Sequence, residues 1–371
     1  MMSGSGYNIA IVGQTGVGKS SLLNYLLDLD PNDGGAKTGV GAPVTKNGFH
    51  QYKHKIKGIP VCVFDSWGLE VGKEDQWTKD LEEELKNRGV DKPAADWFHS
   101  VFYCIAASSS RIQDADIKII RKLRNEKYQV SVILTKADCV PEEDENALRS
   151  SLKKAIGDQN ISVIAVCSES KKTRSGYIEP FGKEEVQKQS LSDLFDSLEI
   201  RVPEHCRCLM KAEVNVWKAE MYALIENDLG YFGTNPEEVC EKIKKEYHAV
   251  IPKVQKKGED AVRDCLKDYS QVAEFMKIQL VVERKKYKDF FAGSKTSNSD
   301  FSWSDAAFIP LVILSIPFLP FIFRSMRKDE VDKIKELVGK NCENIFSEID
   351  KRVLEIRETL QGFKIKILEN N

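Results

Sequence analysis

The chain has 371 residues, with 55 Lys and Arg against 57 Asp and Glu, a formal net charge of −2 and 42% hydrophobic residues. This length exceeds the roughly 250–300 residues at which a single core stops growing, so two domains are expected, and the balanced charge excludes a chain-wide attraction to nucleic acid. Nine cysteines scattered from Cys62 to Cys342 form no spaced disulfide framework and suit a reducing compartment.

Met1 to Gly6 is short and polar, without the layout of a signal peptide, so a cytoplasmic protein is expected. The apolar run Tyr7 to Val12 predicts a strand, and a helical pattern follows over Ser20 to Leu29. Between them lies Gly13-Gln14-Thr15-Gly16-Val17-Gly18-Lys19-Ser20, which fits GxxxxGK[ST]. Glycines let a backbone wrap phosphates closely, and the following helix N-terminus faces negative charge. Gly13, Thr15, Gly16, Val17, Gly18, Lys19, Ser20 and Ser21 are therefore the expected phosphate-binding set, with Lys19 reaching the β- and γ-phosphates and Ser20 a ligand of Mg²⁺.

Ile59 to Asp65 predicts a second strand, closed by Asp65-Ser66-Trp67-Gly68 in the form DxxG. Asp65 is expected to hold Mg²⁺ through water, and the Gly68 amide to sense the γ-phosphate. A switch threonine on Mg²⁺ has two candidates upstream, Thr45 and Thr38; the spacing of Thr45 from Asp65 is preferred. Leu69 follows Gly68 where a water-orienting Gln would otherwise be sought. Gln14, or a group from a second protomer, is the alternative source of water positioning.

Helical patterns near Trp77 to Asn87, Gln113 to Asn125 and Glu143 to Ile156 alternate with apolar runs His99 to Ala106, Gln129 to Thr135 and Ile161 to Cys167. This alternation predicts a mainly parallel sheet with helices on both faces. Thr135-Lys136-Ala137-Asp138 has the form [NT]KxD. Its Asp carboxylate accepts from guanine N1 and the exocyclic amine, where adenine offers the opposite pattern. Lys136 is expected to pack across the base, and Val166-Cys167-Ser168 to supply the last base-edge loop through Cys167 and Ser168.

After Pro203 the spacing becomes helical, which places a G domain at residues 1–203 and a helical domain at 204–371. Val262, Leu266, Tyr269, Ala273, Met276 and Leu280 form one stripe. Val331, Ile334, Val338, Ile345, Ile349, Val353, Ile356 and Leu360 form another, expected to pack with Leu209 to Leu229 as a bundle. Ala306 to Phe323 carries no charge and contains Pro310, Pro317 and Pro320. With Phe301 and Trp303 before it and Arg324, Arg327 and Lys328 after it, a kinked tip dipping into one leaflet is expected, the alternative being a Pro-kinked core segment of the helical domain.

Gly13 to Ser21, Gly34-Gly35-Ala36-Lys37-Thr38-Gly39-Val40, Thr45, His50, Tyr52-Lys53-His54, Ile59-Pro60 and Val63-Phe64-Asp65 together resemble the immunity-related GTPases. The resemblance is specific over Gly13 to Gly68 and architectural beyond it; Gln14, Trp67 and the apolar run depart from it. It implies a dynamin-like protein with a Ras-like G domain and a helical domain, acting at membranes and hydrolysing GTP as an oligomer. The combined expectation is a Mg²⁺-dependent GTPase, cytoplasmic and peripheral at a membrane, with GTP or GDP, lipid and a second copy as partners and no nucleic acid. A soluble Era-like GTPase of ribosome assembly and a nucleotide-switched interaction module with little hydrolysis are the alternatives.

Overall fold

The computed structural model describes residues 7–37, 48–56, 58–68, 74–109, 112–173, 176–231, 235–287 and 327–369. Thr38, Thr45, Leu69 and the apolar run 306–323 lie outside the described residues. In chain order the elements are β1 (Tyr7–Gly13), α1 (Lys19–Leu27), β2 (Phe49–Ile56), β3 (Ile59–Ser66), α2 (Glu74–Asn87), β4 (Ser100–Ala106), α3 (Asp114–Asn125), β5 (Val130–Thr135), α4 (Glu142–Ile156), β6 (Val163–Ala165), β7 (Lys171–Thr173), β8 (Gly176–Ile178), α5 (Lys183–Ile225), α6 (Pro236–Tyr287) and α7 (Arg327–Glu369).

Six strands form one sheet in the order β2-β3-β1-β4-β5-β6, parallel except for β2, which runs antiparallel to β3. This is the Ras-like fold that the alternation of runs and helical patterns predicts. Every residue of β1, β4 and β5 is buried, as continuous apolar runs require when helices cover both faces. Ala10 and Val12 join a core with Trp67, Trp77, Leu81, Phe98, Tyr103, Ile120 and Leu152. The side chains alternating with them, Tyr7, Ile9 and Ile11, point to the opposite face, where the Tyr7 hydroxyl donates to the Ser190 carbonyl of α5.

β2 escaped the sequence pattern because Phe49–Ile56 is largely polar and mostly half-buried or exposed. It is an edge strand held through β3, from Phe49 opposite Ser66 to Ile56 opposite Ile59. α3 follows the rules for helix ends, with Asp114 and Asp116 in its first turn and Lys122 and Arg124 in its last.

The described residues divide into two compact units, one up to Ile200 with Gln271–Val281, the other Arg201–Ser270 and from Val282 onward. In the second unit, Met210, Val214, Trp217, Met221 and Ile225 of α5 pack with Val239, Ile243, Tyr247, Val250 and Val254 of α6. Ile334, Val338, Cys342, Ile345, Ile349 and Val353 of α7 complete that core. The Trp217 and Tyr247 rings meet edge to face at 5.7 Å. α5 runs through Pro203, where the change in sequence pattern falls. Buried Leu194, Leu198, Val202, Cys206 and Met210 continue at helical spacing across the proline, and their burial offsets the lost amide donor. Among the described residues, no helix is long and apolar enough to cross a membrane.

One buried carboxylate in the first unit has a testable consequence. Asp193 of α5 accepts from Ser100 Oγ at 2.5 Å, Gln189 Nε2 at 2.8 Å and Ser131 Oγ at 3.3 Å. Burial pushes its pKa up to about 6 despite these bonds, and Asp196 adds to the rise. With its folded pKa above the unfolded value, Asp193 costs the fold nothing at low pH, and its contribution to stability falls as pH rises from 3.8 to about 6. Asp193→Asn removes the buried charge, and the two serine hydroxyls can turn to accept from its amide. The variant should melt several degrees above the wild type at pH 7.5, consistent with about 1–3 kcal/mol, and lose that advantage at pH 4.5. Paired thermal melts at the two pH values check this.

Candidate nucleotide-binding site

The loop from β1 into α1 lies at the carboxyl end of the central strands, where open α/β sheets bind ligands. Gly13 has φ 144°, and a Cβ there would lie 2.4 Å from the Cys104 carbonyl oxygen of β4, so no larger residue fits. Gly18, at φ 99°, turns the chain into α1. The Lys19 ammonium donates to the carbonyls of Gly13 at 3.1 Å and Gln14 at 2.9 Å and is almost wholly buried. Burial draws its pKa down, and the nearby Asp65 opposes that shift. A desolvated cation inside a glycine-lined loop is suited to a polyphosphate.

Ser20 Oγ donates to Asp65 Oδ2 at 2.8 Å, so the first turn of α1 and the end of β3 converge. Burial raises the pKa of Asp65, while Ser20, Lys19 and His50 hold it back. Asp65 Oδ1 is buried and has no hydrogen-bond partner among the described residues. An orphaned carboxylate oxygen beside a hydroxyl is a hard-oxygen donor set, and it fits Mg²⁺, which takes few protein ligands and keeps waters and phosphate oxygens.

Beyond Asp65, Trp67 is buried in the core and its carbonyl accepts from Trp77 Nε1 at 2.8 Å. That burial fixes the loop at the position where the sequence departs from its resemblance. Gly68 then lies against the P-loop, where an added Cβ would stand 2.4 Å from Thr15 Cα. Gly68 is thus required by close approach, and Thr15 is the P-loop residue it touches. Upstream, Asn24 anchors the start of the segment holding Thr38 and Thr45, exchanging hydrogen bonds with the Ala36 amide at 2.7 Å and carbonyl at 2.8 Å.

Gln14 is turned toward α3. Its Nε2 donates to both oxygens of Asp116 at 3.1 Å, and Tyr103 OH donates to Asp116 Oδ1 at 2.7 Å. Meeting a catalytic water would require Gln14 to leave that carboxylate. No motif signals this link, whose partners lie 102 positions apart.

On the base side, Lys136 has φ 54° and donates to the Gly16 carbonyl at 2.7 Å. Thr135 Oγ1 donates to the Val17 carbonyl. These bonds tie the Thr135–Asp138 loop to the P-loop, and the Ala137 amide joins it to the Val166 carbonyl at 3.2 Å, bringing Cys167 and Ser168 beside it. Burial tends to raise the pKa of Asp138, yet hydrogen bonds from Lys171, Cys139 and Cys167 carry it below the usual value, so the carboxylate is ionised.

Residues 8–136, from β1 to the lysine of that loop, match the 50S ribosome-binding GTPase family. They form a P-loop GTPase domain. Over 209 residues the chain is 28% identical to the tRNA modification GTPase MnmE of Caldicellulosiruptor saccharolyticus, covering 56% of this chain and 40% of that protein. Over 133 residues it is 32% identical to interferon-inducible GTPase 1 of Mus musculus, covering 35% of this chain and 28% of that protein. The chain thus spans well under half the length of these two relatives. Among solved structures, Toc33 from Arabidopsis thaliana in complex with Mg²⁺ and GMPPNP aligns with a TM-score of 0.37 at 14% identity, covering 53% of this chain and 87% of that one. Both curated relatives are named as GTPases, one interferon-inducible and the other for tRNA modification.

Proposed function

We propose that this GTPase domain binds GTP with Mg²⁺ and hydrolyses it to GDP and phosphate, and that its nucleotide state controls attachment of the protein to a membrane. The observation that carries the hydrolytic reading is the convergence of buried Lys19 with the Ser20–Asp65 pair, whose Asp65 Oδ1 is left unpartnered. Ser20 and Asp65 would hold Mg²⁺, which when bound neutralises charge on the β- and γ-phosphates. Lys19 and the P-loop amides stabilise the charge that develops as the water oxygen bonds to the γ-phosphorus and the bond to the bridging oxygen breaks. Thr45, or Thr38, is proposed as the switch threonine on the metal, and the Gly68 amide as the γ-phosphate sensor.

Leu69 follows Gly68, and Gln14 is bonded to Asp116, so this chain's own water-positioning group is weakly provided for. A second protomer docking over the nucleotide face would supply it, and specific turnover should then rise with protein concentration. The membrane reading is supported by the uncharged run 306–323 with its aromatic and cationic flanks. On this reading the protein would be cytoplasmic and peripheral at a membrane.

The test is liposome co-sedimentation with phosphate release recorded in parallel, on the intact chain and on a folded variant carrying Asp at several positions of 309–323. Lipid-dependent pelleting and lipid-stimulated turnover of the intact chain alone support the proposal. Normal turnover without sedimentation of either chain rejects the membrane role, and stimulation by structured RNA instead would favour the soluble Era-like alternative.

A further inference from the structure

The loop that leaves β6 carries two side chains back into the nucleoside end of the site. Lys171 Nζ donates to Asp138 Oδ2 at 2.7 Å, and Cys139 Sγ approaches the same oxygen at 3.4 Å. The Asp138 side chain is only 4% exposed, although Lys171 itself is 45% exposed. The carboxylate that would read guanine is therefore covered. Two positions earlier, Glu169 Oε1 accepts from Ser21 Oγ at 2.9 Å, linking the base-side loop to the first turn of α1.

Both side chains extend from a segment anchored at its base. Cys167 and Phe181 exchange two backbone hydrogen bonds, at 3.2 and 3.0 Å, and between them β7 and β8 pair as a hairpin with Lys171 opposite Ile178 and Lys172 opposite Tyr177. The ammonium of Lys171 presents N–H donors to the acceptor that guanine N1–H and its amine would otherwise meet. The two contacts are made by different residues: Glu169 reaches the first turn of α1 and Lys171 reaches the base loop.

We infer that the Glu169–Lys171 segment is an intramolecular occupant of the nucleoside groove, which a guanine nucleotide must displace from Asp138 and Ser21. This rests on the guanine-nucleotide reading above and adds to it a determinant of affinity and exchange rate. Lys171 keeps Asp138 ionised and covered; on entry of the base, the ammonium gives up Oδ2 and moves into solvent, to which it is already half open.

Binding of methylanthraniloyl-GDP by the full chain, measured by stopped-flow fluorescence and by equilibrium titration, tests this. Lys171→Met removes the competing donor and should tighten binding about three- to tenfold, mainly through a faster on-rate. Lys171→Arg keeps a cation and should bind like the wild type, and Glu169→Ala should tighten binding by a smaller factor. In an Asp138→Asn background, Lys171→Met should change xanthosine diphosphate binding by less than about twofold, because the negative charge that holds the Lys171 ammonium has gone. Unchanged or weaker GDP binding by a folded Lys171→Met variant overturns the inference while leaving guanine binding intact. If the wild type and every variant fail to bind GDP, the underlying nucleotide reading falls, and this inference with it.

Discussion

Lys19→Met should lower GTP turnover by about two to three orders of magnitude while leaving the melting temperature within a few degrees of the wild type. The ammonium is buried against the Gly13 and Gln14 carbonyls and close to Asp65. Removing it costs two hydrogen bonds but also relieves a desolvated charge, so the two effects on stability oppose each other. No such compensation exists for a transferring phosphoryl group, which would lose its one buried lysine in the P-loop. Methionine preserves the unbranched stem and should keep α1 packed. Phosphate release under saturating GTP and Mg²⁺, with a parallel melt, checks both halves. Turnover within tenfold of wild type would mean that the phosphate lies elsewhere.

Asp138→Asn should exchange the base preferred by the site. A carboxylate accepts both from guanine N1–H and from the exocyclic amine, whereas an amide must point one donor at a donor. Guanine binding should therefore weaken by about a hundredfold or more. Xanthine carries a carbonyl in place of that amine, and the amide then matches it, so xanthosine diphosphate should become the tighter ligand. Competition against methylanthraniloyl-GDP in both proteins measures the exchange. An unaltered order of affinity would remove Asp138 from base recognition.

The layered fold was legible because β1, β4 and β5 are buried on both faces and read as unbroken apolar runs. β2 was not, since an edge strand needs little apolar character; neither was the β7–β8 hairpin, whose strands are three residues each. Pro203 marks the change in sequence pattern, and α5 runs through it. In the site, motif spacing named Ser20 and Asp65 together, and the structure puts them 2.8 Å apart. The partners of Gln14 and Asp138 belong to no motif. Asp116 and Lys171 reach them only because strands β4 and β6 bring distant segments to the same end of the sheet, and a linear pattern holds no trace of such pairings.

The wedging of Gly13 against the Cys104 carbonyl makes the floor of the phosphate cradle a product of the pairing of β1 with β4. An unfolded chain has no such floor and no affinity for the ligand. Occupancy then acts as a thermodynamic weight on the native side, about 2.7 kcal/mol when free nucleotide stands at a hundred times its dissociation constant. The lifetime of the protein against proteolysis would thus follow the guanine nucleotide pool, and chains emptied by dilution or chelation would be cleared first.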